Sequence, residues 1–287
     1  MKKIKYFLQY IIILFLFIIF KTLGLKYSSI LSGYIAKIFG PLFRSKKIIH
    51  SNLNKALPGL KEEEENDILK NMWNNYGVIL AEYMFIKNFR TDSKYQNKIK
   101  IINKEILEKI INNKKPVIFI SGHFSNFELM AMQIEKSGVD LAAIYRPLNN
   151  IFLNPIMEKI RTNYICKRQI KKGISGTKEL LRCFKQNISI ALMIDQRVSE
   201  GISCRFFNEK ALTTTIPAQF VKKFNTEIVP VHIERVDKNN FTIEFSQPLN
   251  FNSNETTYNI TLKLNQILEK MILKNPNQWI WTHNRWI

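Results

Sequence analysis

Acid, cysteine and long low-complexity tracts are all scarce in this chain, and each scarcity excludes something. Its 287 residues carry 23 Asp plus Glu against 43 Lys plus Arg, a formal net charge of +20. Such an excess calls for an anionic partner: nucleic acid, an acidic membrane surface or a phosphorylated substrate. Part of it is compositional, because Lys is the default solvated residue of a chain visibly rich in Lys, Ile and Asn. No nucleic-acid-binding signature and no interleaved basic-aromatic repeat occurs, so membrane surface is the better reading. The three cysteines, Cys166, Cys183 and Cys204, are odd in number, far apart and without paired spacing. That argues against a disulfide framework and a zinc site and fits a reducing compartment, with packing as their expected role. There is no G-x-S-x-G elbow and no cysteine beside a histidine, so nothing suggests a covalent enzyme intermediate. Gly173-Ile174-Ser175-Gly176-Thr177-Lys178 fails the spacing of a phosphate loop and reads as a helix start.

One long apolar run is present. Ile4 to Phe20 is almost wholly apolar behind a basic start and spans about 25 Å as a helix, the lower edge of a membrane-crossing length. A signal peptide is the competing reading. Lys21 to Lys26 offers no clean small-residue cleavage site, which favours an uncleaved anchor. Lys2, Lys3 and Lys5 on one side and Lys21, Lys26 and Lys37 on the other leave orientation open, as does an interfacial or tilted placement. The expected division is an N-terminal membrane anchor at 1–25 and one large domain at 26–287.

Helical patterns follow over Tyr27–Phe39, Lys46–Leu57 and Glu62–Phe85, the last acidic in its first turn as the helix dipole prefers. The apolar stripe Met72, Trp73, Tyr76 and Leu80 reads as core or membrane-facing surface. From Ile99 onward strand-like and helix-like segments alternate: strands at Ile99–Ile102, Pro116–Ile120, Val139–Tyr145, Ile188–Ile194, Glu227–Ile233 and Phe241–Phe245. Helices are expected at Lys104–Ile111, Asn126–Lys136, Ile151–Arg161, Gly176–Phe184, Pro217–Phe224 and Thr257–Leu273, with a basic loop before Pro217. This alternation predicts an α/β fold: a mixed, mainly parallel sheet flanked by helices, antiparallel late in the chain.

The chain is organised around Lys115 to Pro147. A short buried strand stops at Ser121-Gly122, His123 follows, and Glu128 stands five positions on. On one helix residues five apart diverge by about 140°. With His123 on the strand-to-helix turn, however, Glu128 in the first helical turns can swing back to orient the imidazole as a general base. The carboxyl end of a strand is where open α/β sheets place their sites. Asp195-Gln196 follows another apolar run in the same way, and Arg146 and Arg161 can each hold a phosphate with a planar fork. His50 and His232 have no carboxylate at useful spacing and read as structural.

Ser121-Gly122-His123-Phe124-Ser125-Asn126-Phe127-Glu128 resembles the H-x4-(D/E) signature of glycerolipid-type acyltransferases. More particularly, the chain resembles the late acyltransferases of lipid A biosynthesis, the lauroyl/myristoyl family. In order along the chain, Tyr145-Arg146-Pro147 with Asn154-Pro155, Asp195-Gln196, Arg205-Phe206-Phe207 and Trp279 to Trp286 carry the same resemblance. Asn284 departs from it, standing where that family often has a basic residue. The resemblance implies an acyl-O-transferase at the cytoplasmic face of a bacterial inner membrane, with acyl-acyl carrier protein as donor. It implies an anionic Kdo-bearing lipid A precursor as acceptor. His123 and Glu128 are then catalytic, and Arg146, Asp195, Gln196, Asn126 and Arg161 substrate-binding, with no cofactor and no nucleic acid. Arg205 to Phe207 stand between pocket rim and packing, and Trp279, Trp281 and Trp286 between membrane interface and burial. Two other readings stay open: a glycerophospholipid or lysophospholipid acyltransferase, and a non-catalytic basic membrane-binding protein.

Overall fold

The computed structural model describes residues 2–286; Met1, the first residue of the expected anchor, and Ile287, the last of the expected domain, lie outside the described residues. The first helix, α1, runs from Lys2 to Phe39 and is broken at Gly24, whose φ 73° and ψ 168° are open only to glycine. The break falls beside the expected boundary at residue 25. By length and composition, Lys2–Phe43 is apolar enough to cross a membrane. It nonetheless leans on the rest of the protein: Phe17, Phe20 and Leu25 are buried, Asn150 donates to the Tyr6 carbonyl, and Phe152 packs edge-on against Phe7. Ile11, Phe15, Ile18, Ile30 and Tyr34 face outward.

Past Gly24 the inner face of α1 turns small: Ser28, Ser29, Ser32 and Gly33 are buried. They lie against α3 (Glu62–Glu82), which follows the short α2 (Lys46–Ala56). Small residues let the two backbones close in. A Cβ built on Gly77 would stand 2.1 Å from the Ser32 carbonyl oxygen, while the Ser32 hydroxyl donates to the Gly77 carbonyl at 2.6 Å. After α3 come a 3-10 turn, Tyr83–Phe85, and two short helices, α4 (Ile86–Thr91) and α5 (Ser93–Gln96).

The second half is a layered α/β sheet. Its elements are β1 (Ile99–Ile102), α6 (Glu105–Asn113), β2 (Ile118–Ser121), α7 (Glu128–Lys136), β3 (Leu141–Tyr145), α8 (Asn154–Tyr164), β4 (Arg168–Lys171), α9 (Ile174–Lys185) and β5 (Ser189–Met193). Then follow β6 (Ile202–Phe206), β7 (Glu209–Thr213), α10 (Ile216–Phe224), β8 (Ile228–Asp237), β9 (Asn240–Phe245) and α11 (Thr257–Lys274). Seven strands order as β1-β9-β8-β2-β5-β3-β4. All neighbours are parallel except the β8–β9 hairpin, the late antiparallel portion expected from the polar turn at Asp237–Asn240. β2 and β5, in the middle, are apolar except for Ser121 and Ser189 at their ends, as suits strands covered on both faces.

Two expectations need correction. The basic loop before Pro217 is a β-hairpin, β6–β7, paired from Ile202↔Thr213 to Phe206↔Glu209. Its turn is built from Phe207 and Asn208 at φ 50° and 60°; a bulky aromatic in the left-handed region is uncommon, so the turn carries no Asn-Gly signature. β4 also went unread, since Arg168-Gln169-Ile170-Lys171 is charged. Charge belongs on an edge strand, where it discourages further pairing, and β4 is one edge of the sheet.

The α1–α3 contact yields a test. Gly77→Ala forces backbone from backbone where no flexible side chain can yield, so it should destabilise by about 1–3 kcal/mol, the usual cost of overpacking. Thermal unfolding of the detergent-solubilised protein, compared with Ala36→Gly on the facing turn, measures it; an unchanged midpoint in Gly77→Ala would mean the two helices are not held together at this point.

Candidate active site

The site stands at the carboxyl edge of the three central strands. Ser121 of β2 is in register with Met193 of β5, and His123 and Asp195 each lie two residues beyond. The chain therefore brings them together from 72 positions apart. The His123 ring Nδ1 lies 2.8 Å from Asp195 Oδ1, and the His123 backbone N–H donates to the other carboxylate oxygen at 2.8 Å. A third donor, the Trp279 indole Nε1–H, reaches that oxygen at 2.9 Å. Asp195 is 2% exposed. A buried carboxylate survives as an anion only with such a full set of donors.

The electrostatics follow from this packing. Burial would raise Asp195, but the adjacent histidine and the N–H donors overcome it and hold the carboxyl down at about 2. Burial likewise pulls His123 downward, and the Asp195 charge and hydrogen bond win, leaving the ring above its ordinary value of 6.5. Hydrogen bonding of Nδ1 to a carboxylate assigns the proton to that nitrogen, so the neutral ring presents its lone pair at Nε2. Nε2 has no hydrogen-bond partner among the described residues, and the His123 side chain keeps 18% of its surface exposed.

Glu128 is not the partner of His123. It is the first residue of α7, and its Oε1 accepts from Arg161 Nε at 2.8 Å and from the Tyr83 hydroxyl; Arg161 also donates to the Tyr83 oxygen at 3.1 Å. Burial depresses Arg161, but the Glu128 charge prevails and its pKa lies above the ordinary arginine value. Glu128 is near enough for its charge to help raise His123. It works through the field rather than through a hydrogen bond to the ring.

Asn126, between them, is fully buried and donates through Nδ2 to Glu82 at 2.9 Å. Glu82 is likewise buried and accepts from Arg235 and from Asn239 Nδ2 at 2.9 Å, and Asn239 also reaches Ser29 of α1 at 2.9 Å. Asn126 thus ties the His123 loop to the helical layer. Its Oδ1 and the Ser125 hydroxyl are buried without partners. Gln196 is half-buried beside Asp195, and Arg146 is exposed just past β3, in no ion pair among the described residues.

The C-terminal tryptophans are packed inside the protein. Trp279, Trp281 and Trp286 are all buried, each with its indole N–H bonded: to Asp195, to the Pro276 carbonyl and to the Phe206 carbonyl. Gln278 supplies a carbonyl to Ser125 N–H at 3.0 Å, and Asn52 of α2 holds the carbonyls of Trp281 and His283. His283 feels the charge of both Asp195 and His123, and burial lowers it to about 4, so it is neutral at neutral pH. Next to it, Thr282 bonds the Tyr76 hydroxyl at 2.7 Å; Tyr76 therefore belongs to the wall of the site as well as to a packing stripe. Phe206 is core and Phe207 a turn residue whose N–H donates to Glu269. His50, read as lacking a carboxylate, meets Glu65 of α3 across space. The three cysteines are buried and free.

A buried carboxylate, a histidine with one nitrogen free among the described residues and an open sheet edge form an arrangement that can abstract a proton. The chain is 25% identical over 264 residues to a lipid A biosynthesis acyltransferase of Haemophilus influenzae, covering 88% of this chain and 83% of that one. It is 24% identical to a lipid A biosynthesis lauroyltransferase of Escherichia coli, covering 84% and 79%. Among solved structures, a 1-acyl-sn-glycerophosphate acyltransferase of Thermotoga maritima aligns with a TM-score of 0.42 and 12% identity, over 87% of this chain and 98% of its own. The family model described as bacterial lipid A biosynthesis acyltransferase matches residues 1–287, and the chain belongs to that family.

Proposed function

We propose that this lipid A acyltransferase moves a fatty acyl group from the thioester of an acyl-acyl carrier protein to a hydroxyl of a Kdo-bearing, phosphorylated lipid A precursor. The reaction takes place at the cytoplasmic face of a bacterial inner membrane. The observation that carries the reading is the His123–Asp195 pair, with Nε2 of the ring left open at the sheet edge. Nε2 takes the proton of the acceptor hydroxyl as its oxygen attacks the thioester carbonyl. The tetrahedral oxyanion collapses, the carbon–sulfur bond breaks, and the imidazolium returns the proton to the departing thiolate. Asp195 stabilises the imidazolium and fixes the ring, the part expected of Glu128. Glu128 and Tyr83 instead immobilise Arg161 beside the ring.

The net charge of +20 suits two anionic substrates. The placement of α1 supports an interfacial rather than a perpendicular anchor, because contacts with the body run from Tyr6 to Ser32 while the other face stays apolar and bare. Mass spectrometry of lipid A from cells lacking and then regaining the protein tests the assignment: one acyl chain should disappear and return. Lipid A unchanged by the deletion would refute it.

His123→Ala should abolish transfer without unfolding. Asp195→Asn should cost roughly 10²–10⁴-fold in turnover, the range of a general base. Its direction with pH is also set. The base works when neutral, so wild-type kcat/KM rises with pH through a value above 6.5; without the raising charge of Asp195, burial governs and the rise moves to lower pH. A limb that stays in place in Asp195→Asn would show that another group sets the ring's titration.

Glu128→Ala should act first on stability, leaving the buried Arg161 unpaired at a cost of about 3–5 kcal/mol. Adding Arg161→Met should recover much of the melting temperature. Recovery of stability without recovery of turnover separates the pair's electrostatic role from its structural one; no recovery at all argues that Arg161 has other essential contacts.

Arg146, exposed and unpaired, is assigned to the acceptor phosphate. Arg146→Ala should weaken use of the phosphorylated acceptor by about tenfold to a hundredfold, as loss of a charged hydrogen bond does, and Arg146→Lys should restore part of it. Equal loss on an acceptor lacking that phosphate would reassign Arg146 to the fold or the oxyanion.

A further inference from the structure

At the opposite end of α3 from Glu82, where α1 ends, a cavity of about 220 Å³ opens to solvent. Lys37, Lys46 and Lys70 surround it with His50, over a floor of Trp73 and Leu69. No carboxylate lines it, and the lysines that do form ion pairs among the described residues are others. Glu65 is engaged with His50. The volume is below the roughly 300–1,000 Å³ of sites for drug-sized ligands, so the occupant is a small group.

The way the cavity is built breaks a local rule. α2 begins with Lys46 and Lys47 and has no acid in its first turn, although a helix N-terminus favours negative charge. α3, by contrast, opens on Glu62, Glu63, Glu64 and Glu65. A basic first turn facing a basic-lined cavity becomes favourable once an anion sits there. Gly40 allows the turn before α2 to lie directly on the Trp73 ring, since a Cβ there would come within 2.3 Å of it.

The neighbours say where the anion comes from. Phe39, Leu42 and Phe43 are exposed, the last two at 76% each, and they continue the bare apolar face of α1. Apolar side chains adjoining a lysine-lined cleft place the former in hydrocarbon and the latter at the depth of lipid phosphates. We infer that this cavity binds the phosphate headgroup of an anionic bilayer phospholipid, at a site separate from the acyl-transfer centre. The inference rests on the interfacial placement of α1 and is independent of acyl transfer.

Trp73 lines the cavity and keeps 8% of its surface exposed, whereas the other three tryptophans keep 2% or less, which supplies the test. The full chain is reconstituted in nanodiscs containing either brominated phosphatidylglycerol or brominated phosphatidylcholine, and tryptophan quenching is followed, with Trp73→Phe giving the background. Phosphatidylglycerol should quench the Trp73 signal at a several-fold lower mole fraction than phosphatidylcholine. Each lysine at an anionic surface is worth roughly fivefold, so Lys46→Ala with Lys70→Ala should shift the phosphatidylglycerol curve by about tenfold or more and leave phosphatidylcholine unmoved. Equal quenching by the two lipids, or a preference untouched by the double variant, overturns the headgroup site while α1 stays embedded. Absence of quenching by either lipid overturns the membrane placement with it. Reversal of the quench by millimolar inorganic phosphate would assign the cavity to free phosphate instead.

Discussion

The carboxylate of Asp195 is the point on which the site depends. It lies in the middle of the sheet edge with water excluded, and an anion there is costly unless donors replace the lost hydration. Three N–H groups do so, from the backbone and ring of His123 and from the indole of Trp279. Those same bonds aim the imidazole, fix its tautomer and dock the C-terminal segment. One desolvated charge therefore sets the orientation of the base, its affinity for a proton and the closure of the fold.

Two further buried carboxylates extend the same principle away from the reacting nitrogen. Glu128 gathers Arg161 and Tyr83, and Glu82 gathers Arg235, Asn239 and Asn126. Arg161 additionally lies 5.6 Å from the centre of the Tyr145 ring, at the end of β3. Charged buried networks of this kind hold a loop in place, because a rearrangement strands a charge. The His123 loop is thereby fixed from the helical layer, the sheet and the chain's last turns together.

Periodicity made the main plan legible: α1, the long α3, the buried central strands and α11 all stand near their expected bounds, because each shows an uninterrupted apolar pattern. What escaped had no such pattern. β4 is charged because it is an edge, and the β6–β7 hairpin turns through Phe207 and Asn208 rather than a glycine. The placement of His123 just past a strand end was readable from H-x4-E and its setting. The partner of His123 was not, because a spacing of five suggests a local carboxylate, whereas Asp195 arrives by the parallel pairing of β2 with β5. Sequence distance conceals what sheet register brings together. Trp279 and Glu82 were hidden for the same reason, each acting on residues dozens of positions away.

The bond from Trp279 to Asp195 also orders events in time. A chain is made from its N-terminus, so α1 is present before the sheet exists, and Asp195 emerges 84 residues ahead of the indole that completes its shell. At the usual ~5–20 residues per second of synthesis, that interval lasts roughly 4–17 s. Throughout it His123 and Asp195 can already meet, but the Gln278 carbonyl that holds the loop and the Asn52 clamp on residues 281 and 283 have no partners yet. The shell around Asp195 is thus completed last, by a tryptophan that bonds the carboxylate and not Nε2 of His123.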